Sequence, residues 1–152
     1  RCKGKDKGEL LSYAINKIYA HCVKERGMTL FMWGDRLIDG TLPQLSEFGE
    51  WETSLNGTYK AIDSIPKDIV ICDWHYESHD EYPSIPYFIE KGFRVLPASF
   101  KDEKAARDLI NYSLKYIDSG KMIGHLYTTW ETISNKKLAK WKPLKKTVNE
   151  LQ

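Results

Sequence analysis

The sequence predicts an α/β fold with about four parallel strands and helices on the outside, which fits half of a (β/α)8 TIM barrel. Three observations carry this expectation. Four short runs are apolar at successive positions, as parallel strands covered by helices are, and they alternate with helical patterns. They start near positions 28, 68, 93 and 122, about 31 residues apart on average, which is also the unit length of a barrel of ~250 residues. No low-complexity linker interrupts the 152 residues, so they read as a single partial domain, residues 1–152, around one core. A complete four-stranded open parallel sheet of flavodoxin type meets the same periodicity and stays open as the competing architecture.

The elements follow in order. Leu11, Ile15, Ile18 and Cys22 recur at helical spacing over residues 9–23, with Leu10, Ala14 and Tyr19 beside them, and Gly27 stops the helix. Met28 to Trp33 (MTLFMW) is a strand-length apolar run. A short helical pattern from Tyr59 to Ile65 precedes the second run, Asp68 to Trp74 (DIVICDW). Ser84 to Lys91 reads as a helix ending at Gly92, and Phe93 to Ala98 (FRVLPA) as the third strand. Asp102 then caps a helix reaching Ser119, whose stripe is Ala105, Ala106, Leu109, Ile110, Leu114 and Ile117, with Gly120 as its stop. Met122 to Thr129 (MIGHLYTT) is the fourth strand. Leu138, Trp141, Leu144, Val148 and Leu151 mark a last helix that Pro143 kinks or reopens.

Composition excludes several classes of function. Hydrophobic residues are 41% and charged residues 29% of the chain, the balance of a globular domain. Lys plus Arg total 23 against 21 for Asp plus Glu, so no electrostatic case exists for nucleic acid or an anionic membrane as partner. No apolar run approaches the ~18 residues of a membrane span. The lysines at 136, 137, 140, 142, 145 and 146 read as the solvated face of the last helix, and Arg1, Lys3, Lys5 and Lys7 as a frayed terminus. Cys2, Cys22 and Cys72 are odd in number and widely spaced, which reads as three reduced thiols and leaves the compartment open. The chain begins at Arg1 without an initiator Met or a secretory leader, and is read as cut from something longer.

In either architecture chemistry gathers at the C-terminal ends of the strands. Those ends read Trp33-Gly34-Asp35-Arg36, Asp73-Trp74-His75-Tyr76-Glu77, Ala98-Ser99 and Trp130-Glu131. Three of the five Trp thus take equivalent positions on three strands, each with an acidic neighbour. Flat indole walls beside carboxylates are what a sugar asks for, since its C–H faces lie on aromatic rings and its hydroxyls donate to carboxylates. The candidate substrate-binding residues are Trp33, Asp35, Asp73, Trp74, His75, Tyr76, Trp130 and Glu131, and the expected partner is a carbohydrate.

Together the stretches MTLFMWGDRLIDG, IPKDIVICDWHYE, GFRVLPASF and GHLYTTWE resemble the later strands of a family 20 glycoside hydrolase barrel, the β-N-acetylhexosaminidase type, and the initial RCKGK resembles the segment after its catalytic strand. The likeness rests on four strand-end signatures in the right order rather than on one motif. It implies that Trp33, Trp74 and Trp130 enclose the acetamido group of an N-acetylhexosamine and that Glu131 binds sugar hydroxyls. Glu131 follows Trp130 directly, whereas the family places a residue between. The family's acetamido-contacting tyrosine after strand seven is replaced by Ser99 and Phe100, which leaves Tyr76 or Tyr127 for that contact. The roles of Asp35, Asp73 and His75 come from position alone.

The resemblance further implies a retaining, substrate-assisted hydrolase in which the acetamido oxygen attacks the anomeric carbon, while an Asp-Glu pair ending strand four orients that group and protonates the leaving oxygen. Here the two Asp-Glu pairs, Asp80-Glu81 and Asp102-Glu103, end no apolar strand. No catalytic residue is therefore expected in this chain, no cofactor is called for, and the missing N-terminal half of the barrel becomes an expected partner. Half a barrel also exposes strand edges, so self-association is expected. Two other readings compete. Asp73, His75, Glu77 and His79 alternate and on an extended backbone would converge as metal ligands, against which His79 sits in a polar loop. A carbohydrate-binding or assembly module that keeps the sugar platform without the acid is the non-enzymatic alternative.

Overall fold

The structure, a computed structural model, describes residues 4–130 together with Lys140 and Lys145. Glu131, Cys2 and the last expected helix with Trp141 lie outside the described residues, as do all of the C-terminal lysines but those two.

The chain opens with α1 (Lys7–Tyr19), whose N-cap Asp6 accepts hydrogen bonds from the backbone N–H groups of Gly8 and Glu9. It runs on as a π-helical turn, Ala20–Lys24. Ile15 and Tyr19 are buried, whereas Ile18, expected on the same stripe, is turned to solvent. Tyr19 takes its place and donates to Asp68 at 2.5 Å, so the apolar body is buried and the hydroxyl satisfied. β1 (Phe31–Trp33) is shorter than the apolar run that announced it. Between it and β2 (Val70–Trp74) lie short turns that periodicity could not show: 3-10 helices over Asp35–Leu37 and Ser46–Phe48, α2 (Gly49–Glu52), and a longer 3-10 helix over Thr58–Ser64. α3 (Ser84–Glu90), β3 (Arg94–Ser99), α4 (Glu103–Leu114) and β4 (Leu126–Tyr127) complete the described part. Asp102 caps α4, accepting from the N–H of Ala105 at 2.8 Å. That helix is shorter than expected: Leu114 and Ile117 are exposed, and Tyr112 and Ser113 are buried in their stead.

All strand pairings are parallel and the sheet order is β1-β2-β3-β4. Strand order decides between the two architectures that periodicity left open. A doubly wound sheet reverses direction at a switch point, while a barrel adds each strand beside the last. The sequential order and the curl of the sheet make this an α/β half-barrel.

Its two faces differ. Met32, Ile71 and Val95 share a register row, and the last two lie in the main core with Leu37, Ile62, Ile85, Phe88 and Leu109 from the covering helices and turns. The alternate rows, Phe31 with Val70 and Arg94, Trp33 with Cys72 and Leu96, and Trp74 with Ala98 and Leu126, form the other face. There Phe31 remains 50% exposed. Among the described residues no helix is long and apolar enough to cross a membrane.

Candidate functional site

The rim residues are set by short backbone devices at the strand ends. Gly34 follows β1, and a Cβ there would stand 2.8 Å from both Ile71 Cγ2 and Phe88 Cζ, so only glycine lets the chain cross the core this closely. Crossing there, it turns Asp35 and Arg36 into a 3-10 helix beside Trp33. Trp74 ends β2, Tyr76 lies two residues beyond, and Trp130 lies three residues beyond β4.

These groups meet around one cleft of about 740 Å³, lined by Trp33, Asp35, Arg36, Glu50, Trp51, Trp74, Tyr76 and Trp130. The Trp33 and Trp130 rings lie 6.1 Å apart between centroids, and those of Trp74 and Tyr76 4.9 Å. The Trp130 indole N–H donates to the Tyr76 hydroxyl at 2.9 Å, which ties the rim beyond β4 to the rim beyond β2. Trp74 Nε1 points at Asp35 Oδ1 across 3.5 Å, and Arg36 Nε donates to the other carboxylate oxygen at 2.5 Å. Arg36 also donates through Nη2 to the carbonyls of Glu50 and Trp51, at 3.0 and 2.8 Å, and so holds α2 at the cleft. The result is a set of flat apolar walls with a carboxylate and a guanidinium among them, chemistry that suits a ligand with apolar faces and hydroxyl edges.

No family model matches the chain, and no curated protein matches it.

Of the sequence-derived candidates, Trp33, Asp35, Trp74, Tyr76 and Trp130 line this cleft, and Glu131 lies outside the described residues. Asp73 and His75 do not line it. Alternation along β2 turns them to the helix side, where they are 1% and 0% exposed. His75 Nδ1 lies 2.5 Å from Glu52 Oε2, its Nε2 lies 2.8 Å from Ser84 Oγ and 3.3 Å from Asp73 Oδ2, and Ser84 Oγ donates to that same Asp73 oxygen at 2.7 Å. Burial alone drives the imidazole toward its neutral form. The Asp73 and Glu52 carboxylates outweigh burial and raise its pKa to about 9, making His75 a buried cation at neutral pH. Phe48 and Tyr82 flank the ring at 4.7 and 5.1 Å.

His79 packs edge-on against Phe48 and Tyr82, and Glu77 is exposed. Among the described residues no group of three or more His, Cys, Asp or Glu side chains is placed to hold a metal ion. Neither Asp-Glu pair is among the cleft residues. Asp80 and Glu81 sit in an exposed loop, and Asp102 is spent capping α4.

Sequence reasoning missed Trp51, Arg36 and Glu50 in the cleft, and Glu52 and Ser84 beneath it. One signal was available for the first of these. Glu50-Trp51-Glu52 repeats the pairing of a tryptophan with acidic neighbours that singled out the strand ends, but in a segment without strand or helix period.

Proposed function

We propose that the cleft binds an N-acetylhexosamine unit of a glycan, and that this chain supplies the aromatic sugar-binding wall of a family 20-type glycoside hydrolase. The observation that carries the reading is the meeting of Trp33, Trp74 and Trp130, from the ends of three different strands, around one cleft that also holds Asp35 and Tyr76. Packing alone gives no reason for three exposed or half-exposed indoles to converge. Stacking of a pyranose against them, with hydroxyls donated to Asp35, does. Tyr76, whose hydroxyl faces the Trp130 indole, is the candidate for the acetamido contact that the family places elsewhere.

In this reading the acid that protonates the leaving oxygen, and the carboxylate that orients the acetamido group, come from the N-terminal half of the barrel. The chain's own residues bind and orient the sugar, and the tryptophans keep water from the acetamido group. A non-catalytic carbohydrate-binding module is the second reading, favoured by the fact that neither Asp-Glu pair is among the residues lining the cleft.

The test is hydrolysis of an aryl N-acetyl-β-glucosaminide by the full-length protein, measured with calorimetric binding of N-acetylglucosamine. Trp130→Ala is expected to weaken sugar binding by about tenfold or more, as loss of a central aromatic anchor does, and to cripple turnover. Unchanged binding and turnover remove Trp130 from the site. Binding without any turnover in the unsubstituted protein selects the binding-module reading.

A further inference from the structure

One wall of the cleft rests on very little. Glu50 and Trp51 come from α2, a single turn of four residues, none of them buried, and so short a helix has no stability of its own. Two side chains from outside the segment clasp it. On the cleft side, Arg36 Nη2 donates to the carbonyls of Glu50 and Trp51. On the helix side, Glu52 meets His75 Nδ1 at 2.5 Å, and Phe48, just before α2, packs on the His75 ring. Arg36 lines the cleft and Glu52 lines a hollow of about 340 Å³ beside it, whereas His75 is fully buried and lines neither.

The hydrogen bonds around His75 fix its charge. Ser84 Oγ donates to Asp73 Oδ2, so toward His75 Nε2 that hydroxyl can only accept. The Glu52 carboxylate at Nδ1 also only accepts. Both ring nitrogens therefore carry a proton, which is the imidazolium form. Tyr82 and His79, the other titratable groups packed on the ring, bring no negative charge, and burial holds the Tyr82 hydroxyl above its ordinary pKa.

The two clasps differ in one respect. A guanidinium keeps its charge throughout the range in which proteins stay folded, and an imidazolium does not. When His75 loses a proton, one ring nitrogen turns a lone pair toward the carboxylate it faced. Asp73 is sealed, with 2% of its side chain exposed, while Glu52, at 12%, borders the hollow and can turn to water. Deprotonation thus releases Glu52, and α2 with it. Burial opposes the proton, the two carboxylates outweigh burial, and the loss falls at about pH 9.

We propose that His75 is a positioning residue of the cleft, whose protonated ring holds α2 through Glu52 and so keeps Glu50 and Trp51 in the cleft wall. What that wall contacts rests on the carbohydrate reading above, and the hold on α2 stands apart from it.

Calorimetric titration of the full-length protein with N-acetylglucosamine, from neutrality to about one pH unit above the His75 pKa, tests this. Affinity is expected to fall about tenfold, since the competent state is then only about one-tenth populated. In His75→Gln the affinity is expected to be lower at neutrality and flat with pH. Glu52→Gln keeps an acceptor for Nδ1 but withdraws one carboxylate charge, and is expected to move the midpoint to lower pH. A melting curve checks that each variant is folded, and a role in stability alone leaves the affinity of folded protein flat.

Fluorotryptophan NMR reads α2 without any sugar. The Trp51 resonance, assigned through Trp51→Phe, is expected to shift through the same midpoint. A flat affinity in the unsubstituted protein, or a fall that survives in His75→Gln, overturns the proposal. If no sugar binds while the Trp51 resonance titrates, the carbohydrate reading falls and the hold on α2 stands. A Trp51 resonance that does not titrate overturns that hold.

Discussion

At the end of β2 consecutive side chains serve two regions that share a strand and little else. Trp74 turns to the open face and lines a cleft, whereas Asp73 and His75 turn to the helices and are sealed beneath it. The first region is aromatic and open to solvent, with Trp33, Trp51 and Trp130 exposed and their ring faces available to a ligand. The second is polar and dry, and every polar group has a partner: His75 with Glu52, Ser84 and Asp73, and Ser84 with Asp73 again. Three adjacent residues, all chemically equipped for a site, thus have different physical uses, and the two-residue period of a strand alone decides which is which. The regions are joined at α2, where Glu52 reaches down to His75 while Trp51 looks into the cleft.

The sharpest way to break this division is to empty the buried side. His75→Ala leaves the Asp73 and Glu52 carboxylates without the cation between them, and removing one partner of a buried charged network costs about 3–5 kcal/mol. Urea or thermal unfolding is expected to show a loss of that size. If His75 were instead a surface ligand of the cleft, the variant would lose sugar affinity and keep its stability.

Acid and base should separate the same two regions less drastically. The folded-state pKa of His75 is raised to about 9, above the ordinary value. The stabilisation from its proton is therefore complete below about 6.5, declines as the pH rises, and is gone once the pH passes through about 9. His125 runs the other way. It is bonded through Nε2 to Ser99 Oγ at 2.7 Å, and burial depresses its pKa to about 4. Being neutral when folded, it adds stability above about 6.5 that is lost as the pH falls toward 4. The unfolding free energy is expected to be greatest near neutrality and to fall on both sides. His75→Gln should flatten the alkaline decline and leave the acid one intact.

Much of this was legible in the sequence, and the misses have physical causes. Strand-length apolar runs placed all four strands, because burial on both faces leaves a continuous hydrophobic signal. Their boundaries shrank, since residues such as Met28 and Thr29 are apolar or β-branched without being paired. Strand order, which distinguishes the half-barrel, is a property of crossovers and leaves no trace in periodicity. In the cleft, Trp33, Trp74 and Trp130 were readable because each ends a recognisable strand. Trp51 was not, since short 3-10 and α turns have no repeat long enough to detect. Asp73 and His75 were seen as functional groups but put on the wrong face: a rim position fixes a residue's height on the barrel and not its side.

The smallest expected effect is at Phe31, away from the rim, and a core position on the other face of the sheet is its reference. Ile71 and Phe31 are both large apolar residues on neighbouring strands, but Ile71 is fully buried against the helices and Phe31 is half exposed on the open face. Ile71→Ala is expected to cost about 2–5 kcal/mol, as deleting a core side chain does. Phe31→Thr puts a β-branched residue, itself a good strand former, on an outer strand and removes only a partly hydrated ring, so its cost should stay near ~0.5 kcal/mol. The same change should also reduce self-association of the 152-residue chain, read by light scattering as concentration rises, because an exposed apolar face on an outer strand favours pairing with another copy. A large loss of stability in Phe31→Thr would mean that this face is covered in the folded chain. A monodisperse monomer at every concentration, before any substitution, would mean that its exposed apolar surface is too small to draw copies together.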